Sequence, residues 1–271
     1  MPPIHLIGSE GFIGRAIQRE ASEDILHCWS HTQTDPDHHF DLLDPTSWDR
    51  LLEYKPSNVV LLSWPGLPNY SELFHVTRNL PAAISLIERL MLSGLTKLVA
   101  AGTCYEYGLQ SGPLKEDQPT NPQNFYSIAK DSLRRVVEQR CTHHGIQWCW
   151  GRIFYPYGDG QNYNSFLTSL DRAIQNREPE FAMSSGRQLR DFITVENVAN
   201  RLLYLAEHPD ASGVYNIGSG HPHSLREMAE ARITNHSSNI RLSLGALPDR
   251  ADEPTAFWAD MTKLSLLRRI L

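Results

Sequence analysis

A tyrosine and a lysine four residues apart, in Tyr126-Ser127-Ile128-Ala129-Lys130, are the first residues in this chain whose spacing suggests chemistry. On a helix that spacing puts both side chains on one face. A phenol there can give or take a proton, but with a pKa of about 10 it is a poor base unless a cation such as the lysine ammonium favours its phenolate. The pair alone is a common accident of helices. Thr103 adds weight to it: it lies two residues past the apolar run 98–101, where an open parallel sheet places its ligands. A second group is Gly8-Ser9-Glu10-Gly11-Phe12-Ile13-Gly14, between an apolar run and a helix-length segment. Gly8 suits a tight turn, Gly11 the close approach of backbone to a pyrophosphate, and Gly14 the packing of helix on strand. The helix N-terminus, from Phe12 and Ile13 to Arg15, offers unpaired N–H groups to the anion. That combination predicts a dinucleotide site.

An NAD site usually carries an acid at the end of the second strand, roughly 20 residues past the glycine loop. Here the place reads Cys28-Trp29-Ser30-His31-Thr32, with no carboxylate. A 2′-phosphate would meet no repulsion, and Ser30, His31 or Arg15 could hydrogen-bond to it. NADP(H) is therefore favoured over NAD(H).

The elements that must position these groups follow from periodicity. Short apolar runs at 4–7, 25–29, 59–62, 98–101 and 146–150 alternate with helix-length segments after Gly11, near 47–54, 73–92 and 127–140. That is the pattern of βαβ units and a parallel sheet. Beyond Gly151 the pattern loosens into a loop and a helix near 166–175, and a strand is expected at 213–217 with a helix after Ser224. The expected division is a dinucleotide-binding domain over 1–150 and a mainly substrate-binding region over 151–271, with segments near 190–218 returning to the sheet.

Composition narrows the partners. The chain has 271 residues and a net charge of -6, which gives no basic footprint for nucleic acid. The longest apolar runs fall far short of the roughly 18–20 residues a bilayer demands, and Met1-Pro2-Pro3 lacks a secretory pattern, so the expected location is the cytoplasm, with no membrane partner. Cys28, Cys104, Cys141 and Cys149 show no CxxC spacing, and the histidines lack metal-ligand spacing, so no metal is expected.

With these residues in order along nearly the whole chain, the sequence resembles the extended short-chain dehydrogenase/reductases, specifically the NAD(P)-dependent epimerase/dehydratase family acting on nucleotide sugars. The resemblance also rests on Phe40-Asp41-Leu42, Asn79, Arg152, Tyr157-Gly158, Gly160-Gln161, Arg190-Asp191-Phe192-Ile193, Val214-Tyr215-Asn216-Ile217-Gly218, and Phe257-Trp258-Ala259-Asp260 followed by Lys263. It implies a Rossmann-type doubly wound parallel α/β sheet with a small C-terminal α/β substrate-binding region. It also implies a Thr103/Tyr126/Lys130 triad in which Tyr126 exchanges the proton of a sugar hydroxyl, Thr103 hydrogen-bonds the reacting oxygen and Lys130 holds the nicotinamide ribose. Asp41, Leu42, Leu62 and Ser63 would line the cofactor site. Tyr155, Arg190 and Arg250 would contact a nucleotide-diphosphate sugar, the arginines at its pyrophosphate. Family dehydratases carry Asp-Glu after the threonine, where this chain has Cys104-Tyr105, so dehydration is not expected. The leading expectation is 4-keto reduction of a nucleotide 4-keto-6-deoxyhexose. The alternatives are a 4-epimerase with tightly bound NAD and a non-catalytic NAD(P)-sensing protein. A homodimer is expected from the helix 127–140.

Overall fold

In chain order the first elements are β1 (Ile4–Ile7), α1 (Phe12–Glu20), β2 (Leu26–Trp29), α2 (Trp48–Glu53), β3 (Asn58–Leu61), α3 (Leu80–Leu92), β4 (Lys97–Thr103), β5 (Gly112–Leu114), α4 (Phe125–His144) and β6 (Gln147–Ile153). There follow β7 (Tyr155–Tyr157), α5 (Phe166–Gln175), β8 (Glu180–Met183), β9 (Leu189–Arg190), β10 (Phe192–Thr194), α6 (Val195–Glu207), β11 (Gly213–Ile217), β12 (His223–Ser224), α7 (Leu225–Asn235), β13 (Arg241–Leu244), β14 (Phe257–Ala259) and α8 (Thr262–Arg269). These come from a computed structural model, which describes residues 2–22, 25–33, 35, 37–249 and 254–269.

Six strands form one parallel sheet in the order β11-β6-β4-β3-β1-β2. Every residue of β1, β3 and β4 is buried, as a sheet covered by helices on both faces requires. One face packs on α2, α3 and α4 through Trp48, Leu86, Leu90, Ala129, Leu133 and Val137. The other packs on α1 and α6 through Ala16, Ile17, Val198, Leu202 and Leu205. Beyond β2 a single parallel bridge, Ser30 to His39, stands where a seventh strand would run. Strand order reverses between β1 and β3, so the carboxyl ends of these strands open the crevice in which such sheets bind ligands.

The sheet takes strands from both sides of residue 150: β6 continues to Ile153, and β11 pairs along it from Gly213 to Ile217. The remaining chain builds a smaller layer in which β8 pairs with β13 and α5 packs on α7 around Leu170, Met183 and Ala229. Among the described residues, no helix is long and apolar enough to cross a membrane, and no cluster of ligating side chains could hold a metal ion.

At the β1–β2 edge, His5 is buried, stacked 4.9 Å from His27, and its Nδ1 accepts from Trp29 Nε1 at 3.2 Å. Burial, with a smaller contribution from His27, lowers its pKa from 6.5 to about 4. Between those values the unfolded chain binds a proton that the folded chain refuses. Stability is therefore lost as pH falls through this window, by about 2 kcal/mol at roughly pH 5. His5→Gln should flatten that part of the urea-unfolding profile; a parallel loss in variant and parent would contradict this origin.

Candidate active site

The glycine loop connects β1 to α1 by folding back under the neighbouring strand ends. Gly8 has φ +94°, and its amide donates to Trp29 O at 2.8 Å. A Cβ on Gly8 would lie 2.8 Å from Ser63 N, and one on Gly14 would lie 2.3 Å from Gly8 O. Gly11 is the N-cap of α1 with no side-chain cap and no acid in the first turn. The amides of Phe12, Ile13 and Gly14 find no acceptor among the described residues, the first such bond being Arg15 N to Gly11 O. A helix N-terminus left open in this way fits an anionic pyrophosphate. Leu62 and Ser63 close the other wall, both donating their amides to Ile7 O.

At the end of β2, Ser30 is buried with its Oγ 3.1 Å from Thr32 Oγ1, and His31 is exposed. Arg15 is held by Glu10 of the loop, at 3.3 Å. Asp41 caps its own turn, its Oδ1 accepting from Leu43 N at 2.9 Å, and Leu42 is buried.

β4 runs two residues further than its apolar run suggests, because Gly102 and Thr103 continue pairing with Arg152 and Ile153 of β6. Thr103 thus ends the strand instead of following it. Its hydroxyl accepts from Tyr105 N, and its own N–H donates to Glu106 Oε1 at 2.9 Å, a reciprocal cap that turns the chain sharply. α4 begins with a similar device between Asn124 and Ser127. It brings Tyr126 and Lys130 against the end of β4: the Tyr126 phenol comes close to Thr103, and Lys130 Nζ donates to Ala101 O at 2.8 Å. All three side chains are over nine-tenths buried. Burial holds the Tyr126 phenol well above its ordinary pKa, Tyr70, Glu106 and Cys104 adding to the effect and Thr103 opposing it. Burial also brings Lys130 down to about 7, against a partial upward pull from Glu106.

The structure brings Tyr155 and Arg190 together as well. Arg190 is buried with its Nε donating to Tyr155 OH at 3.1 Å and its guanidinium 4.8 Å from the Phe257 ring. Tyr155 in turn faces the Tyr105 ring at 6.1 Å. Arg250 lies outside the described residues.

Several site residues had no reading in the sequence. Glu106 is fully buried and accepts from Thr103 N, Trp150 Nε1 at 2.9 Å and Arg152 Nε at 2.8 Å. Its signal was the Thr-x-x-Glu spacing of a capping box. Tyr70 supplies the carbonyl that accepts from Tyr126 N at 3.0 Å, and its ring lies 5.4 Å from both Tyr105 and Tyr126. Asp191, beside Arg190, serves structure: it accepts from Ser219 N, Gly220 N and Ala259 N.

A covered parallel sheet with an open glycine-rich helix start at its switch point, and a Thr/Tyr/Lys cluster two strands away, defines a Rossmann-type oxidoreductase. The sequence pattern of the NAD dependent epimerase/dehydratase family matches residues 4–218, and the chain belongs to that family. It is an NAD(P)-dependent enzyme of the extended short-chain dehydrogenase/reductase type. The dTDP-6-deoxy-L-talose 4-dehydrogenase (NAD(+)) of Aggregatibacter actinomycetemcomitans is 28% identical over 200 residues, 73% of each chain. The GDP-6-deoxy-D-mannose reductase of Pseudomonas aeruginosa is 27% identical over 252 residues, 84% of this chain and 78% of that one. In fold, the structure of RMD from P. aeruginosa complexed with NADPH superposes with a TM-score of 0.85 at 22% identity, covering 98% of this chain and 92% of that chain. A UDP-N-acetylglucosamine 4-epimerase from Methanobrevibacter ruminantium M1 superposes with 0.84 at 23% identity, covering 98% and 91%.

Proposed function

We propose that the chain reduces the 4-keto group of a nucleotide-linked 4-keto-6-deoxyhexose, with NADPH favoured over NADH. The observation that carries the reading is that, among the described residues, no available carboxylate stands beside Thr103. Cys104 and Tyr105 follow it, and the Glu106 carboxylate is spent on Thr103, Trp150 and Arg152. Elimination of water needs a side-chain acid and base at the sugar, and this cluster supplies a phenol, a hydroxyl and an ammonium only. That set suits hydride chemistry at a carbonyl.

The cofactor, when bound, supplies the hydride. The amides of Phe12, Ile13 and Gly14 would hold its pyrophosphate, Asp41, Leu42, Leu62 and Ser63 its adenosine side and flank, and Lys130 its nicotinamide ribose. Ser30 and His31, with no carboxylate at that strand end, would accept a 2′-phosphate. Thr103 Oγ1 and the Tyr126 phenol would converge on the keto oxygen, and Tyr126 would donate its proton as that carbon becomes a carbinol. A phenol kept protonated by burial is in the right state to donate, and the Lys130 ammonium would stabilise the phenolate left behind. Arg190 and Tyr155, with Arg250, would contact the substrate diphosphate. The rings of Trp64, Tyr70 and His75 lie within 6.3 Å of Tyr126 and keep its surroundings largely apolar. The two curated relatives named above both act on 6-deoxy sugar nucleotides by name, which supports the substrate class. The test is consumption of NADPH or NADH with a 4-keto-6-deoxyhexose nucleotide. Stoichiometric loss of reduced cofactor supports the reading, and sugar interconversion without it contradicts it.

A further inference from the structure

Lys130 places its amino group among rings. Among the described residues no carboxylate lies within ion-pair distance of it, since Glu106 is engaged elsewhere. Its Nζ has the Ala101 carbonyl at 2.8 Å, the Trp64 ring centroid at 4.1 Å and the Trp150 ring at 6.0 Å. An aromatic face attracts a desolvated cation through its quadrupole, and indole does so most strongly. Trp64 follows β3 in a stretch without regular structure, so its ring needs a fixed anchor to act in this way.

His75 is that anchor. The Trp64 Nε1–H donates to His75 Nδ1 at 3.0 Å, and Asn79 Nδ2 approaches the same nitrogen at 3.4 Å. With two donors on Nδ1, the imidazole is neutral and carries its proton on Nε2, which donates to Asn69 O at 3.0 Å. His75 is fully buried and opens a π-helical turn, His75–Asn79, ahead of α3. Turns of that kind recur at functional sites. Burial and the charge of Lys130 both lower its pKa, the Asn69 carbonyl opposing them, so the neutral form persists.

We infer that Trp64, locked by His75, is a positioning residue that holds Lys130 as an ammonium beside Tyr126, the ring standing in for an acidic partner. This rests on the reading of Lys130 as the ammonium of the reductase. Among the described residues, the titratable groups that act on Lys130 are Glu106 from the turn after β4 and His75 from the turn before α3, with Tyr126 four residues earlier on its own helix. Glu106 favours the ammonium and His75, if protonated, would oppose it. Protonated His75 would also point an N–H at the Trp64 and Asn79 donors and release the ring.

The test is an NMR titration of lysine side chains labelled with carbon-13 and nitrogen-15, on the chain without cofactor. The chain's lysines are Lys55, Lys97, Lys115, Lys130 and Lys263, and Lys130→Met assigns the signal of interest. The wild-type Lys130 midpoint is expected near 7. Trp64→Leu keeps the wall apolar but removes the quadrupole, and should lower the midpoint by about one pH unit, with Trp64→Phe lowering it by about half as much. His75→Leu, which frees the ring, should act in the same direction, while Lys97 on the opposite end of β4 should not move. A midpoint unmoved or raised in both Trp64 variants overturns the inference; should Trp64→Leu not fold, Trp64→Phe decides alone. Turnover separates this from the function itself. If Tyr126→Phe abolishes reduction while Lys130 titrates identically in the Trp64 variants, only the positioning role fails. If Tyr126→Phe leaves reduction intact, the functional reading fails whatever the titration shows.

Discussion

Replacing Tyr126 by phenylalanine is expected to cut reductase turnover by roughly 10²–10⁴-fold, the usual contribution of a positioned general acid. Cofactor affinity should stay within about twofold, because the glycine loop and Lys130, which would hold the cofactor, are untouched. The ring itself would remain between Trp64 and Tyr70, so the fold has no reason to change. Only the phenol oxygen close to Thr103 is removed. Steady-state kinetics and a fluorescence titration of NADPH check the two halves separately. Residual turnover above about a tenth of the parent would contradict the assignment of Tyr126 as proton donor.

The second large effect is on stability. Glu106 and Arg152 form an ion pair at 2.8 Å with side chains 0% and 2% exposed, and Arg152 stacks 4.4 Å from the Tyr107 ring. Glu106→Gln preserves shape and can still accept from Thr103 N and Trp150 Nε1. It leaves the guanidinium without a counter-charge and can set an amide N–H against Arg152 Nε. Breaking one side of a buried pair costs about 3–5 kcal/mol, whereas replacing both sides by apolar groups is often nearly neutral. The single variant should therefore unfold at markedly lower urea concentration, and Glu106→Gln combined with Arg152→Met should recover part of the loss. A cost under about 1 kcal/mol for the single variant would show that the pair is solvated or dispensable.

β1, β3 and β4 were legible because burial on both faces favours apolar residues along the strand, and β11 was expected at its observed position. The glycine loop was legible because its spacing is dictated by backbone contacts, visible in the closeness of Gly14 to Gly8 O. α6 has no counterpart among the expected elements, although Val195, Val198, Ala199, Leu202 and Leu203 follow helical spacing. Thr103 was placed past its strand because Gly102 reads as a break, whereas pairing with β6 carries the strand through it. The aromatic wall draws Trp64, Tyr70 and His75 from one short stretch after β3 and Tyr105 from the turn after β4. Tyr105 meets that stretch only when β4 pairs beside β3, and no local spacing announces the meeting.

The central claim is that Thr103, Tyr126 and Lys130 serve hydride delivery to a sugar carbonyl. The most direct measurement uses reduced nicotinamide cofactor carrying deuterium at the transferring carbon, with a 4-keto-6-deoxyhexose nucleotide and mass and NMR analysis of the product. The predicted result is one deuterium at C4 of the sugar, formed with equal loss of reduced cofactor, in the parent and not in Tyr126→Phe. A product epimerised without label, or unchanged sugar with cofactor bound, would contradict it.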